Sequence, residues 1–241
     1  MGLELYYSTK PPKDGQLVIT GSEAGHIARV MRHKVGSMIN VVDGAGTEYE
    51  VELTEVKADR VVGRVFRSQT GAREPKHRVT IAQAVLKGDR LSQVCEQATE
   101  LGVSRVIPIQ TARTVGRLSA ARLERLRSVA LAALKSSTRT VLPRIDAAIG
   151  LGALVATTGE FDQALVAYEE ETGPGLEAAL KRDAGSVLIV IGPEGGFEPD
   201  EIGALKAAGV ISFSLGPRRL RAETAAVAVA AMTFGLLGDL G

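Results

Sequence analysis

Hydrophobic spacing changes character about a third of the way along the chain. Up to Phe66 the apolar positions come in short, mostly alternating runs. These predict strands over Leu3–Tyr7, Gln16–Thr20, Ser37–Asp43, Thr47–Val56 and Arg60–Phe66, separated by the turn sequences Pro-Pro-Lys-Asp-Gly, Asp-Gly-Ala-Gly and Lys-Ala-Asp. Ser22 opens a short helix to Arg32, with Glu23 in its first turn. Short strands with one helix predict a small barrel. The polar stretch Ser68–Lys76 reads as a linker.

Beyond it, unbroken apolar runs alternate with helical periodicity, the pattern of an α/β domain with a parallel sheet. Val79–Leu86 is a buried strand, and Asp89 caps a helix over Arg90–Leu101 that ends at Gly102. Leu91, Val94, Cys95, Ala98 and Leu101 form its apolar stripe. Val103–Gln110 is the next strand, and Ser119 caps a long helix to about Ser137. The outward face of that helix carries Arg122, Arg125, Arg127 and Lys135, as if to lie along a polyanion. A helix over Ala147–Thr158, strands over Gln163–Tyr168 and Val187–Ile191, a helix from Pro199 to Gly209, and a strand over Val210–Leu215 follow. The run Glu169-Glu170-Glu171 is expected to be a solvated loop. The last helix starts near Ala222 and is nearly all Ala and Val, so it should be packed on most sides.

Two of these strands end in Gly-Pro loops that lead to helices: Gly192-Pro193-Glu194-Gly195-Gly196, and Gly216-Pro217-Arg218-Arg219-Leu220-Arg221. Each alone reads equally well as a tight turn. Together they predict a pocket walled by backbone N–H and C=O groups, because open α/β sheets bind ligands beyond the carboxyl ends of their strands. Arginines stand at the mouth of the second loop, with Glu223 and Thr224 just inside the helix.

Net charge is only +1, but residues 73–145 carry a surplus of +9 and residues 146–241 a deficit of −8. The basic middle suits phosphate contact, and a face balanced by the acidic third explains it equally well. The single Cys95 excludes a disulfide framework or a cysteine metal site, and reads as core. No apolar run reaches membrane-spanning length, and MGLELYYSTK lacks a secretory apolar core; the expected location is the cytoplasm, with no membrane partner.

The pair IGPEGGFEPDEI and LGPRRLRAETA resembles the signature of the RsmE-type small-subunit ribosomal RNA uridine-N3 methyltransferases, of the SPOUT class. LKGDRLSQVCEQATELGVSRVIPI resembles the same family, and GHIARVMRHKVGSMINVVDGAG resembles its PUA-like module, so the likeness covers essentially the whole chain. The chain departs from the family where Lys135-Ser136 replaces a frequent Glu-Gln pair, while Arg139 matches.

The resemblance implies a PUA-like RNA-binding β-barrel over 1–72 and a trefoil-knotted SPOUT methyltransferase domain over 73–241. It implies methylation of a uridine N3 in 16S ribosomal RNA, on the assembled 30S subunit, by a homodimer using S-adenosyl-L-methionine and no metal. Ile191, Gly192, Pro193, Glu194, Gly195, Gly196, Leu215, Gly216 and Leu220 would bind the cofactor, with a third wall around Leu165 and Val166. His26, Arg29, Arg32 and Lys34, together with Arg113 and Arg139, would contact RNA.

The residues themselves offer no Ser-His-Asp arrangement, no phosphate loop and no His/Cys ligand cluster. Catalysis must therefore come from aligning two bound partners, which methyl transfer permits. Arg221 first, then Arg219, would stabilise an anionic uracil ring, with Glu223 or Thr224 orienting the arginine or taking the proton. Three rivals stand beside this reading: ribose 2′-O methylation, a dinucleotide-dependent oxidoreductase, and a non-catalytic RNA-binding protein. The oxidoreductase would want its glycine fingerprint after the first strand, not near the C-terminus.

Overall fold

The computed structural model describes residues 4–240, and the chain divides into two compact units. The first runs to Glu74 and takes back Leu134–Leu142. Its elements are β1 (Leu5–Tyr7), β2 (Gln16–Thr20), α1 (Ser22–Gly25), β3 (Met38–Val42), β4 (Thr47–Val56) and β5 (Arg60–Thr70). Leu3, where the first strand was expected to begin, lies outside the described residues. The strands form one curled sheet in the order β1-β3-β4-β5-β2, antiparallel except for the β1–β3 pair. Alternation puts Leu17, Ile19, Ile39, Val41, Val51, Leu53 and Val61 on the inner face, where they close over Tyr6 and Ile27. The expected helix to Arg32 is shorter: α1 passes into a wide turn over His26–Val30, and Arg32 at φ 57° leaves the right-handed region. Gly21, not Ser22, holds the N-cap position.

The returning segment is fixed by Glu74. Its carboxylate accepts from the backbone N–H groups of Thr140 (2.7 Å) and Val141 (2.9 Å) and from Arg139 Nη2 (2.7 Å). A charged residue in the presumed linker is thus a structural anchor, and β5 consumes the linker's first residues.

The second unit holds Pro75–Ala133 and the chain from Pro143 onward. In order come β6 (Arg78–Ala84), α2 (Arg90–Leu101), β7 (Arg105–Gln110), α3 (Ala120–Ser136), β8 (Arg144–Ile145), β9 (Ile149–Gly150), α4 (Leu151–Val155), β10 (Gln163–Ala167), α5 (Leu176–Ala179), β11 (Ser186–Ile191), α6 (Pro199–Ala207), β12 (Ile211–Phe213) and α7 (Ala222–Leu237). The sheet order is β12-β10-β11-β6-β7-β8, with β9 also on β7, and every pairing is parallel. This is the expected α/β class. β6, β10 and β11 are buried along nearly their whole length, as the unbroken apolar runs require.

Two expectations change. The helix over 147–158 is broken: Ile149–Gly150 joins the sheet, only Leu151–Val155 is α-helical, and two glycines explain why. Asp89 occupies the N-cap of α2 without a side-chain cap bond and pairs instead with Arg125 (3.2 Å). α7 is packed on most sides, as expected, and leaves one exposed stripe at Thr224, Met232 and Gly235. Likewise, Ser119 Oγ does accept from the N–H of Arg122 (3.2 Å), and Gly102 closes α2 at φ 109°.

Candidate active site

Parallel pairing decides where the two glycine loops fall. Ala167 on β10 is in register with Ile191 on β11 and with Phe213 on β12. The residues that follow these three strands therefore emerge at one sheet edge. With β10 between them, the two loops are about 10 Å apart, two strand spacings. Strand order β11-β6-β7 also turns the sheet's winding at β6, the place where such sheets bind ligands.

The first loop is heavily held. Gly192 is buried, and a Cβ there would sit 3.0 Å from the Phe197 ring. Gly196 takes φ 72°, and a Cβ on it would collide with the Glu169 carboxylate. Glu194 turns away from the loop's inner side: its Oε1 accepts from the N–H of Lys87 (3.1 Å) and from Arg90 Nη1 (3.2 Å). Burial raises the Glu194 pKa, but backbone donors and Arg90 outweigh it and hold the group below its ordinary value. Arg113 grips the loop's far end, with Nε on Glu198 (2.7 Å) and Nη1 on the Gly195 carbonyl (2.8 Å). Glu198 and Glu201 form a reciprocal capping box that starts α6 behind Pro199.

The second loop is held by little. Ser214 N–H donates to the Pro174 carbonyl (2.9 Å), and Gly216, at φ 92°, donates its N–H to Ser214 Oγ (3.2 Å). Leu215 and Leu220 are half-buried; Pro217, Arg218, Arg219 and Arg221 are exposed. Arg221 is the N-cap of α7 and, with Glu223 and Thr224, lines a cleft of about 790 Å³ against Gln93, Glu96, Gln97 and Glu100 of α2. Glu223 Oε1 lies 3.7 Å from Arg90 Nε, and its Oε2 is buried without a partner. Arg90 thus links Glu194 on the first loop to Glu223 on α7.

Between the loops, the segment after β10 is not simply solvated. Glu171 accepts from the Ser212 hydroxyl on β12, from the Gly173 N–H (2.9 Å) and from Lys206 (3.3 Å), and these bonds draw its pKa down to about 2. The Tyr168 hydroxyl donates to Glu170 (2.6 Å), which helps push it up to about 12.

Several assignments from sequence change. Leu165 and Val166 are wholly buried inside β10, so their side chains belong to the core. Ile191 is likewise core. Arg139, expected on RNA, is only 4% exposed and bonded through Nε and Nη2 to Glu74, so it has no surface to offer. Arg113 spends its donors on the glycine loop. On α3, Arg122 caps the carbonyls of Leu86 (2.8 Å) and Gly88 (2.6 Å), and Arg127 reaches the Ile145 carbonyl (3.3 Å). Lys135 pairs with Glu23 (2.7 Å) within the first unit. The cationic face expected along α3 is largely used internally. In the first unit, Arg29, Arg32 and Lys34 are exposed, and His26 lies 3.9 Å from Glu4.

Sequence reasoning missed two residues. Arg90 gave no signal beyond its charge. Gln83 did: it is the polar interruption near the end of the apolar run of β6, is fully buried, and donates Nε2 to the carbonyls of Gly192 (3.1 Å) and Ala84 (3.2 Å). Cys95 is buried on α2, which pushes its thiol up to about 12. Among the described residues no group of three or more His, Cys, Asp or Glu side chains could hold a metal, and no helix is long and apolar enough to cross a membrane.

A family model described as an RNA methyltransferase domain matches residues 72–233, and one described as an RNA methyltransferase PUA domain matches residues 19–66. The ribosomal RNA small subunit methyltransferase E of Bacillus subtilis strain 168 is 35% identical over 92% of this chain and 92% of its own length. A crystal structure of a probable rRNA-methyltransferase from Porphyromonas gingivalis superposes with a TM-score of 0.88 at 30% identity, over 98% of this chain and 99% of that one. The ribosomal RNA small subunit methyltransferase E of Neisseria gonorrhoeae, crystallised bound to S-adenosyl methionine, shares the fold with a TM-score of 0.89 at 24% identity, over 98% of both chains.

Proposed function

The chain belongs to the ribosomal RNA small subunit methyltransferase E family, and from that premise we propose that it methylates N3 of a uridine in 16S ribosomal RNA, on the assembled 30S subunit, using S-adenosyl-L-methionine. One observation carries the placement of the chemistry: the glycine loops after β11 and β12 leave the sheet at the same edge, one strand apart, with Arg219 and Arg221 at the mouth. The residues fit the cofactor. Gly192, Gly195 and Gly196 carry no side chain to cover the backbone N–H groups of the loop, and Glu223 Oε2 is a buried acceptor lacking a donor. S-adenosylmethionine supplies an electrophilic methyl on a sulfonium; as N3 gains that methyl it loses its proton, and the S–C electron pair stays on sulfur.

The chain's own residues have three tasks. The backbone of Gly192–Gly196, with Gly216 and Leu220, holds and orients the donor. Arg221, and secondarily Arg219, places positive charge beside the uracil carbonyls, where negative charge develops as the N3 proton leaves. Glu223 accepts that proton or orients Arg221; Thr224, one residue on, lines the same cleft. In the first unit His26, Arg29, Arg32 and Lys34 supply donors to phosphate and 2′-OH groups. The half-exposed apolar face of α7, including Met232 at 46% exposure, supports a homodimer, for which light scattering should return twice the chain mass. A site of action in the cytoplasm, where ribosomal subunits are assembled, completes the reading.

The decisive assay incubates the protein and S-adenosylmethionine with small subunits from cells lacking the modification, and with free 16S RNA. Mass spectrometry of the digested RNA should find 3-methyluridine, at higher yield from subunits. Methyl on a ribose oxygen would replace the reading with 2′-O transfer; no methyl on either substrate would overturn it.

A further inference from the structure

Gln83 is the last but one residue of β6, the central strand at which the sheet's winding turns. It is in register with Ile191, immediately before the first glycine loop. Its amide is fully buried, and its orientation is fixed by its surroundings: two carbonyl oxygens, of Gly192 and Ala84, face one end at 3.1 and 3.2 Å, so that end must be the NH2 group. The other end, Oε1, is then a buried acceptor with no donor. Buried polar atoms are nearly always paired, so an orphan on a fully buried amide needs a reason.

We infer that Gln83 is the positioning residue of the Gly192–Gly196 loop: its NH2 group holds the Gly192 carbonyl and so sets the peptide plane entering Pro193. That plane fixes which way the following N–H groups point. An apolar residue of the same length would fill the site in β6 without an orphan, but would release the Gly192 carbonyl. The unmatched Oε1 is what the amide carries in order to supply its two donors. The other contacts on the loop, from Lys87, Arg90 and Arg113, act on Glu194, Gly195 and Glu198. Among the described residues, Gln83 is the one whose side chain hydrogen-bonds the loop's first residue. It touches no reacting atom; it acts through the loop.

This inference rests on the cofactor reading above, and its test separates the two. S-adenosylmethionine is titrated calorimetrically into the wild-type protein and Gln83→Met, with amide spectra of both recorded without ligand and methyl transfer followed at saturating cofactor. Gln83→Met should weaken cofactor binding by tenfold or more, leave the saturated rate within about threefold, and shift the Gly195 and Gly196 amide resonances in the free protein. Equal affinity and unshifted amides would overturn the role of Gln83 alone. A wild-type protein that binds no cofactor would instead sink the proposed function. Should Gln83→Met fail to fold, Gln83→Asn carries the same test, because its shorter amide cannot reach both carbonyls.

Discussion

The two glycine loops start alike and end differently. Both follow a parallel strand of the same sheet edge, both open with Gly-Pro, and both lead into a helix. The first is held from four sides by Gln83, Lys87, Arg90 and Arg113. The second has one side-chain bond, Gly216 N–H to Ser214 Oγ, and among the described residues the side chains of Arg218, Arg219 and Arg221 make no ion pair. Preorganisation is worth most where a group must already be aimed when charge develops, and freedom is worth most where a large partner must be admitted. We therefore propose that the first loop sets most of the cofactor geometry, and that the second adds the Gly216 and Leu220 backbone while its arginines engage RNA.

The largest test of that division is Arg221→Ala. If the second loop serves the transition state, this change should lower kcat by about 10²–10³-fold, the scale for losing one donor to a developing anion. Cofactor affinity should stay within about twofold, because Arg221 is exposed and does not brace the first loop. Single-turnover methylation and calorimetry on the same preparation would read both. A wild-type rate would make Arg221 merely the N-cap of α7.

Next come the two leading glycines, compared directly. Gly192→Ala drives a methyl to 3.0 Å from the ring of Phe197, which is only 3% exposed and packed in the core. Relieving that contact should displace the loop, and cofactor affinity should fall by about tenfold or more, some 1.4 kcal/mol. Gly216→Ala meets nothing within 4 Å, but holds an L-residue at φ 92°. That conformation costs about 1–2 kcal/mol, and a loosely held loop can relax out of it. Its effect on cofactor affinity should be under about threefold. If Gly216→Ala weakens binding more than Gly192→Ala, the division of labour is wrong.

How much of this was readable beforehand follows from what each residue needed. The glycine loops were legible because two apolar runs each end in Gly-Pro before a helix, and the parallel sheet followed from the α/β pattern; the strand order did not. Charged and polar residues were not, because sequence treats them as surface. Arg139 was assigned to RNA and is buried on Glu74; Arg113 and Arg122 were assigned outward and are bonded to backbone carbonyls. Glu74 lay in an apparent linker, yet anchors a segment some 65 residues away in the chain. Such pairings depend on long-range geometry that no local periodicity carries. Gln83 is the intermediate case: a lone amide inside an apolar strand was visible, and only the fold shows what it holds.

The smallest expected effect concerns the segment between the two loops. Glu171 ties it to Ser212 of β12 and to Lys206 of α6, so it sets the wall that both loops flank. Its pKa is drawn to about 2 by those bonds, against about 4.3 for a free glutamate. A depressed carboxylate stabilises the fold above its unfolded pKa and loses that contribution as pH falls from about 4.5 toward 2. Glu171 is partly buried, but its partner Lys206 is half-exposed, so screening keeps the effect modest. Glu171→Gln removes the titration. The difference in melting temperature between wild type and Glu171→Gln, clear at pH 7, should therefore narrow steadily below pH 4.5 and narrow further in high salt. Melting curves that run parallel from pH 7 to pH 3 would mean that the wall is held by backbone bonds alone. The contrast between a braced loop and a free one would then owe nothing to the segment that separates them.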